Sequence, residues 1–201
     1  MRLDLRCRCG QVHGTFDTSR GGTRALCYCR DCQAWARWLG RAEQILDRAG
    51  GSDIVACLPS GLRITQGEDA IACVSLSERG LFRWHTRCCN TAVANTPRDP
   101  HLSYLGLMGD FVAGDEAALA RAFGPPSLRI HTASATAPVK GSTLGACAAL
   151  FAIMRRVIGA RIGGGWRDTP LFDAATGKPI RAPRVLTPVE RRALEPAARR
   201  A

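Results

Sequence analysis

Seven of the ten cysteines fall in three tight groups: Cys7-Arg8-Cys9, Cys27-Tyr28-Cys29-Arg30-Asp31-Cys32, and the pair Cys88-Cys89. The opening residues, MRLDLRCRCG, hold no apolar leader, so a reducing, cytoplasmic setting is expected, where clustered thiols serve metal binding or catalysis rather than disulfides. Zinc prefers thiolates. It takes four protein ligands when structural and three plus an open position when catalytic. A C-x-C pair on a turn can aim both sulfurs at one ion, but it needs two ligands from elsewhere, and Cys88-Cys89 is the available donor. The C-x-C-x-x-C run supplies three sulfurs alone and leaves a fourth position free. One or two Zn²⁺ per chain are expected on this reading. The alternatives are buried thiols or a redox relay, and an iron–sulfur cluster, whose usual spacings this chain does not follow. Cys57, Cys73 and Cys147 stand singly in apolar segments and read as core.

These groups must be held by the elements around them. Arg2–Arg6 and Gln11–Phe16 alternate polar with apolar or small residues and predict two strands about a Cys9-Gly10 turn. Arg24–Cys29 reads as a third strand, and Asp31–Leu39, with Trp35, Trp38 and Leu39 at helical spacing, as a short helix. Glu43–Arg48 reads as another helical turn. Short strands are expected at Ile54–Leu58, Leu62–Gln66, Ala70–Leu76, Leu81–His85, Ala92–Thr96 and Leu102–Leu107, separated by turns rich in Gly, Pro, Ser and Asp. Beyond about residue 110 the pattern turns helical: Asp115–Phe123, stopped by Gly124-Pro125-Pro126, then Leu144–Ile158. A last helix is announced by Thr187-Pro188-Val189-Glu190, which has the form of a capping box. The expected architecture is a mainly β zinc-binding domain over 1–110 and a basic, mainly helical and irregular extension over 111–201.

Composition sets limits on function. The 201 residues are 46% hydrophobic and 22% charged, ordinary for a chain that buries a core, with only 6% aromatics. The net charge is +11, and lysine occurs only at 140 and 178, so arginine supplies the other basic residues. Basic residues concentrate after Phe151. No recognition motif accompanies them, so nucleic acid is not an expected partner. The longest apolar stretch, Leu144–Met154, has 11 residues, against about 20 for a membrane span. No membrane partner is expected, and Leu144–Ile158 packs either on its own sheet or on a second subunit of a homo-oligomer.

The order Cys7-x-Cys9-Gly10, then Cys27-x-Cys29-x-x-Cys32, then an aromatic with a late cysteine motif near residue 88 resembles the glutathione-dependent formaldehyde-activating (Gfa/CENP-V) family over roughly residues 1–96. The resemblance implies an Mss4-like fold, antiparallel β-sheets around zinc. It assigns Cys7 and Cys9 to a structural zinc, and Cys27, Cys29 and Cys32 to a catalytic one. The late motif departs from the family's aromatic followed by C-x-x-C-G, since Trp84 is followed by His85-Thr86-Arg87-Cys88-Cys89-Asn90. Aligning Trp84 with the aromatic puts His85 and Cys88 at the ligand positions. The structural site then closes either with His85 and Cys88 or with both Cys88 and Cys89. The second option demands a sharp local turn, because adjacent residues of a strand point to opposite faces.

The resemblance implies a carbon–sulfur lyase-like enzyme acting on an aldehyde adduct of a small thiol such as glutathione. Arg8, Arg30 and Arg37 flank the clusters and are candidates to bind its carboxylates, against the plainer reading of surface charge. Asp31 is an acid–base candidate or a helix cap. Trp35 and Trp38 read as core. The competing reading is a zinc-stabilised binding module without catalysis.

Overall fold

The computed structural model describes residues 1–114, 116–142 and 145–195. Eleven strands and five α-helices follow in order among these residues: β1 (Arg2–Arg6), β2 (His13–Asp17), β3 (Gly22–Cys27), α1 (Arg30–Trp38), α2 (Ala42–Ile45), β4 (Ser52–Cys57), β5 (Leu62–Gln66), β6 (Ile71–Ser75), β7 (Phe82–Thr86), β8 (Ala92–Thr96), β9 (Leu105–Met108), α3 (Glu116–Phe123), β10 (Leu128–Ile130), α4 (Gly145–Ile162), β11 (Arg184–Val185) and α5 (Pro188–Ala193). Asp115 and Leu144, which open two of the expected helices, lie outside the described residues.

Two sheets form. The small one runs β1-β2-β5 and is antiparallel; the large one runs β10-β3-β4-β9-β8-β7-β6-β11. Its six central strands are antiparallel, but β10 and β11 join its two edges in parallel, so the sheet is mixed rather than antiparallel throughout. Both edge strands come from the chain beyond residue 110. That segment is therefore woven into the sheet, not merely appended to it as a helical extension. Neither strand has a sequence signal, being three and two residues long.

Period-two alternation sends side chains to two cores, one on each face of the large sheet. Val55, Cys57, Ile71, Cys73, Trp84, Leu105 and Leu107 face the small sheet, where Leu3, Leu5 and Phe16 meet them. Ile54, Val74, Leu76 and Met108 face the other way and are covered by α1 through Cys32, Trp35, Ala36 and Leu39. With both faces covered, β7 and β8 are buried along their whole length, including the polar residues Arg83, His85, Thr86 and Asn95. Cys57 and Cys73 are buried, and burial pushes both thiols up to about 12. Cys147 differs from expectation: it is exposed on α4, because that helix meets the core through Ala146, Ala149 and Ile153 instead. Helix α5 carries the expected capping box, with the Glu190 amide donating to Thr187 Oγ1 at 3.2 Å and the Thr187 amide to Glu190 Oε2 at 2.8 Å. Among the described residues no helix is long and apolar enough to cross a membrane.

Candidate metal centres

The first centre is built from two tight turns. The chain leaves β1 at Cys7, whose amide donates to the Val12 carbonyl at 3.0 Å while the Gly10 amide donates back to the Cys7 carbonyl at 3.0 Å. Gly10 has φ +77°, a left-handed conformation that glycine adopts without strain. This turn brings Cys9 Sγ to 3.5 Å from Cys7 Sγ. The second turn joins β7 to β8. Its ends are tied by the Thr86 amide on the Thr91 carbonyl and the Asn90 amide on the Thr86 carbonyl, both 3.0 Å, with Asn90 left-handed at φ +54°. Cys88 and Cys89 sit on it with sulfurs 3.7 Å apart, and Cys88 Sγ lies 3.8 Å from Cys7 Sγ. The Arg8 amide, donating to Thr91 Oγ1 at 3.1 Å, fastens the two turns together.

All four sulfurs lie within 4.8 Å of one another. Thiolates about 2.3 Å from a tetrahedral zinc ion stand roughly 3.8 Å apart, so this donor set fits such an ion. Burial raises the Cys7 thiol, and burial followed by the Cys9 thiol raises Cys88 to about 12. Burial opposes ionisation at Cys89 as well, but the Thr86 and Thr91 hydroxyls, 3.4 and 3.2 Å from its sulfur, outweigh it and hold that thiol near 5.

His85 is not brought to this group. The sulfurs of Cys88 and Cys89 complete the set, and the imidazole packs edge-on against Trp38 with ring centroids 5.0 Å apart. Trp84 faces the core that contains Cys7, and the next residue along the strand turns to the α1 face. The sharp turn that two adjacent ligands require is supplied by residues 86–91. His85 is 6% exposed; its Nδ1 has no well-formed hydrogen bond, although the Arg83 carbonyl lies close enough to favour the charged form slightly. Burial dominates and lowers its pKa to about 4.

The second centre is more local. Cys27 ends β3, Cys29 caps α1 with its sulfur accepting from the Cys32 amide at 3.3 Å, and Cys32 lies in the first helical turn. The three sulfurs are within 4.8 Å of one another, with Cys27 and Cys32 3.7 Å apart. Cys27 and Cys32 are buried and Cys29 is half-buried. The Cys27 and Cys29 thiols, and then the Arg83 cation, draw Cys32 well below the ordinary thiol value despite burial; the Cys29 and Cys32 thiols, and then burial, raise Cys27.

Sequence reasoning missed Arg83. It is 2% exposed, its Nη1 lies 3.8 Å from Cys32 Sγ and donates to Asn95 Oδ1 at 3.0 Å, and its guanidinium lies over Trp35 at 5.2 Å. The available signal was an arginine within a strand whose other residues, Phe82, Trp84 and His85, suit burial. Asp31 does not cap α1, since Cys29 does; it accepts from Arg191 Nη2 at 2.6 Å and lies 3.9 Å from Arg83. Arg37 donates to the Leu194 carbonyl at 2.9 Å, so it serves to dock the C-terminal helix. Trp35 is buried, as expected for core, while Trp38 remains half-buried.

Over residues 2–182 the sequence matches the model of a family described as of unknown function, DUF6151. The chain belongs to this family. The match runs across residue 110 and takes in β10, but ends two residues before β11. No curated protein matches the chain. Among solved structures, a crystal structure of a Rhodobacter sphaeroides protein is similar at 20% identity, over 57% of this chain and 90% of that one, with a TM-score of 0.41.

Proposed function

We propose that this DUF6151 protein is a zinc-dependent, carbon–sulfur lyase-like enzyme acting on the adduct of a small aldehyde with a glutathione-type thiol. The observation that carries the reading is the unequal division of the ligands: four sulfurs at Cys7, Cys9, Cys88 and Cys89, but three at Cys27, Cys29 and Cys32. Four thiolates saturate a tetrahedral ion and suit a structural role, whereas three leave a position for an incoming thiol. A zinc ion bound there would lower the pKa of that thiol and hold it as a thiolate. The motif order shared with the Gfa/CENP-V family supports the same division and an Mss4-like arrangement.

The surrounding residues suit that task. Three thiolates on a divalent ion leave one net negative charge, and Arg83 offers the compensating cation beside Cys32. Burial of Cys27 and Cys32 beneath α1 shields one side of the centre, so a substrate would approach from the side of Cys29. The substrate sulfur would attack the aldehyde carbon, forming the carbon–sulfur bond while the carbonyl oxygen takes up a proton from solvent; cleavage is the reverse. Asp31 accepts from Arg191 and so ties α5 to α1 beside the centre.

The second reading is a zinc-stabilised binding module without catalysis. It is favoured by the docking of α5 beside α1 through Arg191 on Asp31 and Arg37 on the Leu194 carbonyl. The deciding experiment joins elemental analysis of protein purified without chelator to a glutathione–formaldehyde exchange assay. Two zincs per chain with exchange above the uncatalysed rate support the enzyme. Two zincs without exchange for any thiol–aldehyde pair support the module. A cytoplasmic location belongs to the same proposal.

A further inference from the structure

A further candidate site lies beside strands β6 and β7 of the large sheet, against Trp38 of α1. Strand β11 pairs with β6 through Arg184 on Val74 and Val185 on Ser75, with the Leu186 amide donating to the Ser75 carbonyl at 3.0 Å. Beside that short pairing, residues 71–73, Arg181, Ala182 and Arg184 line a cavity of about 340 Å³ together with Trp38, His85 and Arg87. Among the described residues, three arginines line it and no carboxylate does. Arg184 is neutralised by Glu190 at 2.6 Å and lies over the Trp38 ring at 5.9 Å. Arg87 donates to the Asp69 backbone carbonyl at 2.5 Å, and Arg181 to the Ile180 and Glu68 carbonyls at 3.0 and 3.1 Å. Carbonyl oxygens orient these two guanidiniums without cancelling their charge. His85 is the fourth polar residue of the lining, and its Nδ1 is buried away from the cavity.

We propose that this cavity binds a small oxyanion, a carboxylate or phosphate group, held by Arg87 and Arg181, with the His85 ring in its wall. Two preoriented guanidiniums offer charge-assisted bonds to a planar or tetrahedral anion. Trp38 walls the cavity on the α1 side and His85 on the β7 side. The site is independent of the zinc chemistry: none of its residues is a ligand of either cysteine centre.

Calorimetric titration of the full chain with inorganic phosphate, and separately with acetate, tests the proposal. One saturable site is expected, weakened at least about tenfold in the Arg87→Ala/Arg181→Ala double variant, since a bond to a charged partner is worth more than that factor. Arg121→Ala, outside the cavity on α3, should bind as the wild type does. Competition by acetate would identify the group as a carboxylate or any oxyanion; its absence would specify phosphate. Should the double variant unfold, the ¹⁵N shifts of the His85 ring in wild-type protein give the same answer, moving saturably with phosphate. An unmoved His85, or a double variant that binds phosphate as tightly as wild type, would overturn the proposal.

Discussion

Arg83 Nη1 lies 3.8 Å from the sulfur of Cys32, although the two residues are 51 positions apart and both are almost wholly buried. A guanidinium removed from water needs a compensating partner. Asn95 supplies a neutral acceptor and Asp31, at 3.9 Å, only a loose charge. Among the described residues, the cysteine centre is the other group that can carry negative charge beside it.

Arg83→Met should therefore weaken the second centre while sparing the first. Changing a residue that supports metal ligands costs about 10–100-fold in affinity. Competition with a graded series of chelators should show one zinc leaving the variant much earlier than in wild type and the other unchanged. Simultaneous loss of both would show that Arg83 supports the fold instead.

The two centres should differ in their link to stability. Cys9→Ser opens a four-ligand site that fastens the β1–β2 turn to the β7–β8 turn, and structural zinc contributes folding free energy. A fall in Tm of at least about 10 °C is expected, since about 2–4 °C corresponds to 1 kcal/mol in a chain of this size. Cys29→Ser should lower zinc content with a much smaller change in Tm. Equal melting of the two variants would contradict the division.

Trp84 fills the space between the sheets, fully buried, with Nε1 donating to Thr96 Oγ1 at 3.0 Å and its ring edge-on to Phe172 at 5.9 Å. Trp84→Ala should cost about 3–5 kcal/mol, read from urea unfolding. Trp84→Phe should lose less, because most of the cavity stays filled.

Acid should act through His85. Its folded pKa, about 4, lies below the ordinary value of 6.5, so the neutral ring is the stable buried form. The stability tied to that form is present above pH 6.5 and drains away as pH falls toward 4. The shift corresponds to something on the order of 3 kcal/mol. Urea unfolding of wild type minus that of His85→Gln, taken from pH 7 to pH 4, should show this loss in wild type alone. A difference independent of pH would mean the ring is not the titrating group.

Much of the local structure was legible from residue order. Gly10 after the C-x-C pair marked the first turn, helical spacing of Trp35, Trp38 and Leu39 marked α1, and Thr187 with Glu190 marked the last helix to within a residue. Strands β10 and β11 were not legible, because two or three residues carry no periodicity and form only where a sheet edge is already in place.

The grouping of Cys27, Cys29 and Cys32 is largely a property of the sequence by itself: the six residues span a strand-to-helix junction, and the helical turn from Cys29 to Cys32 rises only about 1.5 Å per residue. So is the need of Cys7 and Cys9 for outside partners. Which partners they meet was decided by tertiary structure. The register of β7 against β8 and the tight turn between them carry Cys88 and Cys89 to Cys7 across 81 positions and turn His85 to the opposite face. The same packing puts Arg83 against Cys32. Spacing along a chain limits only near neighbours, whereas contacts between distant segments depend on sheet register, where a one-residue slip would reverse every side chain.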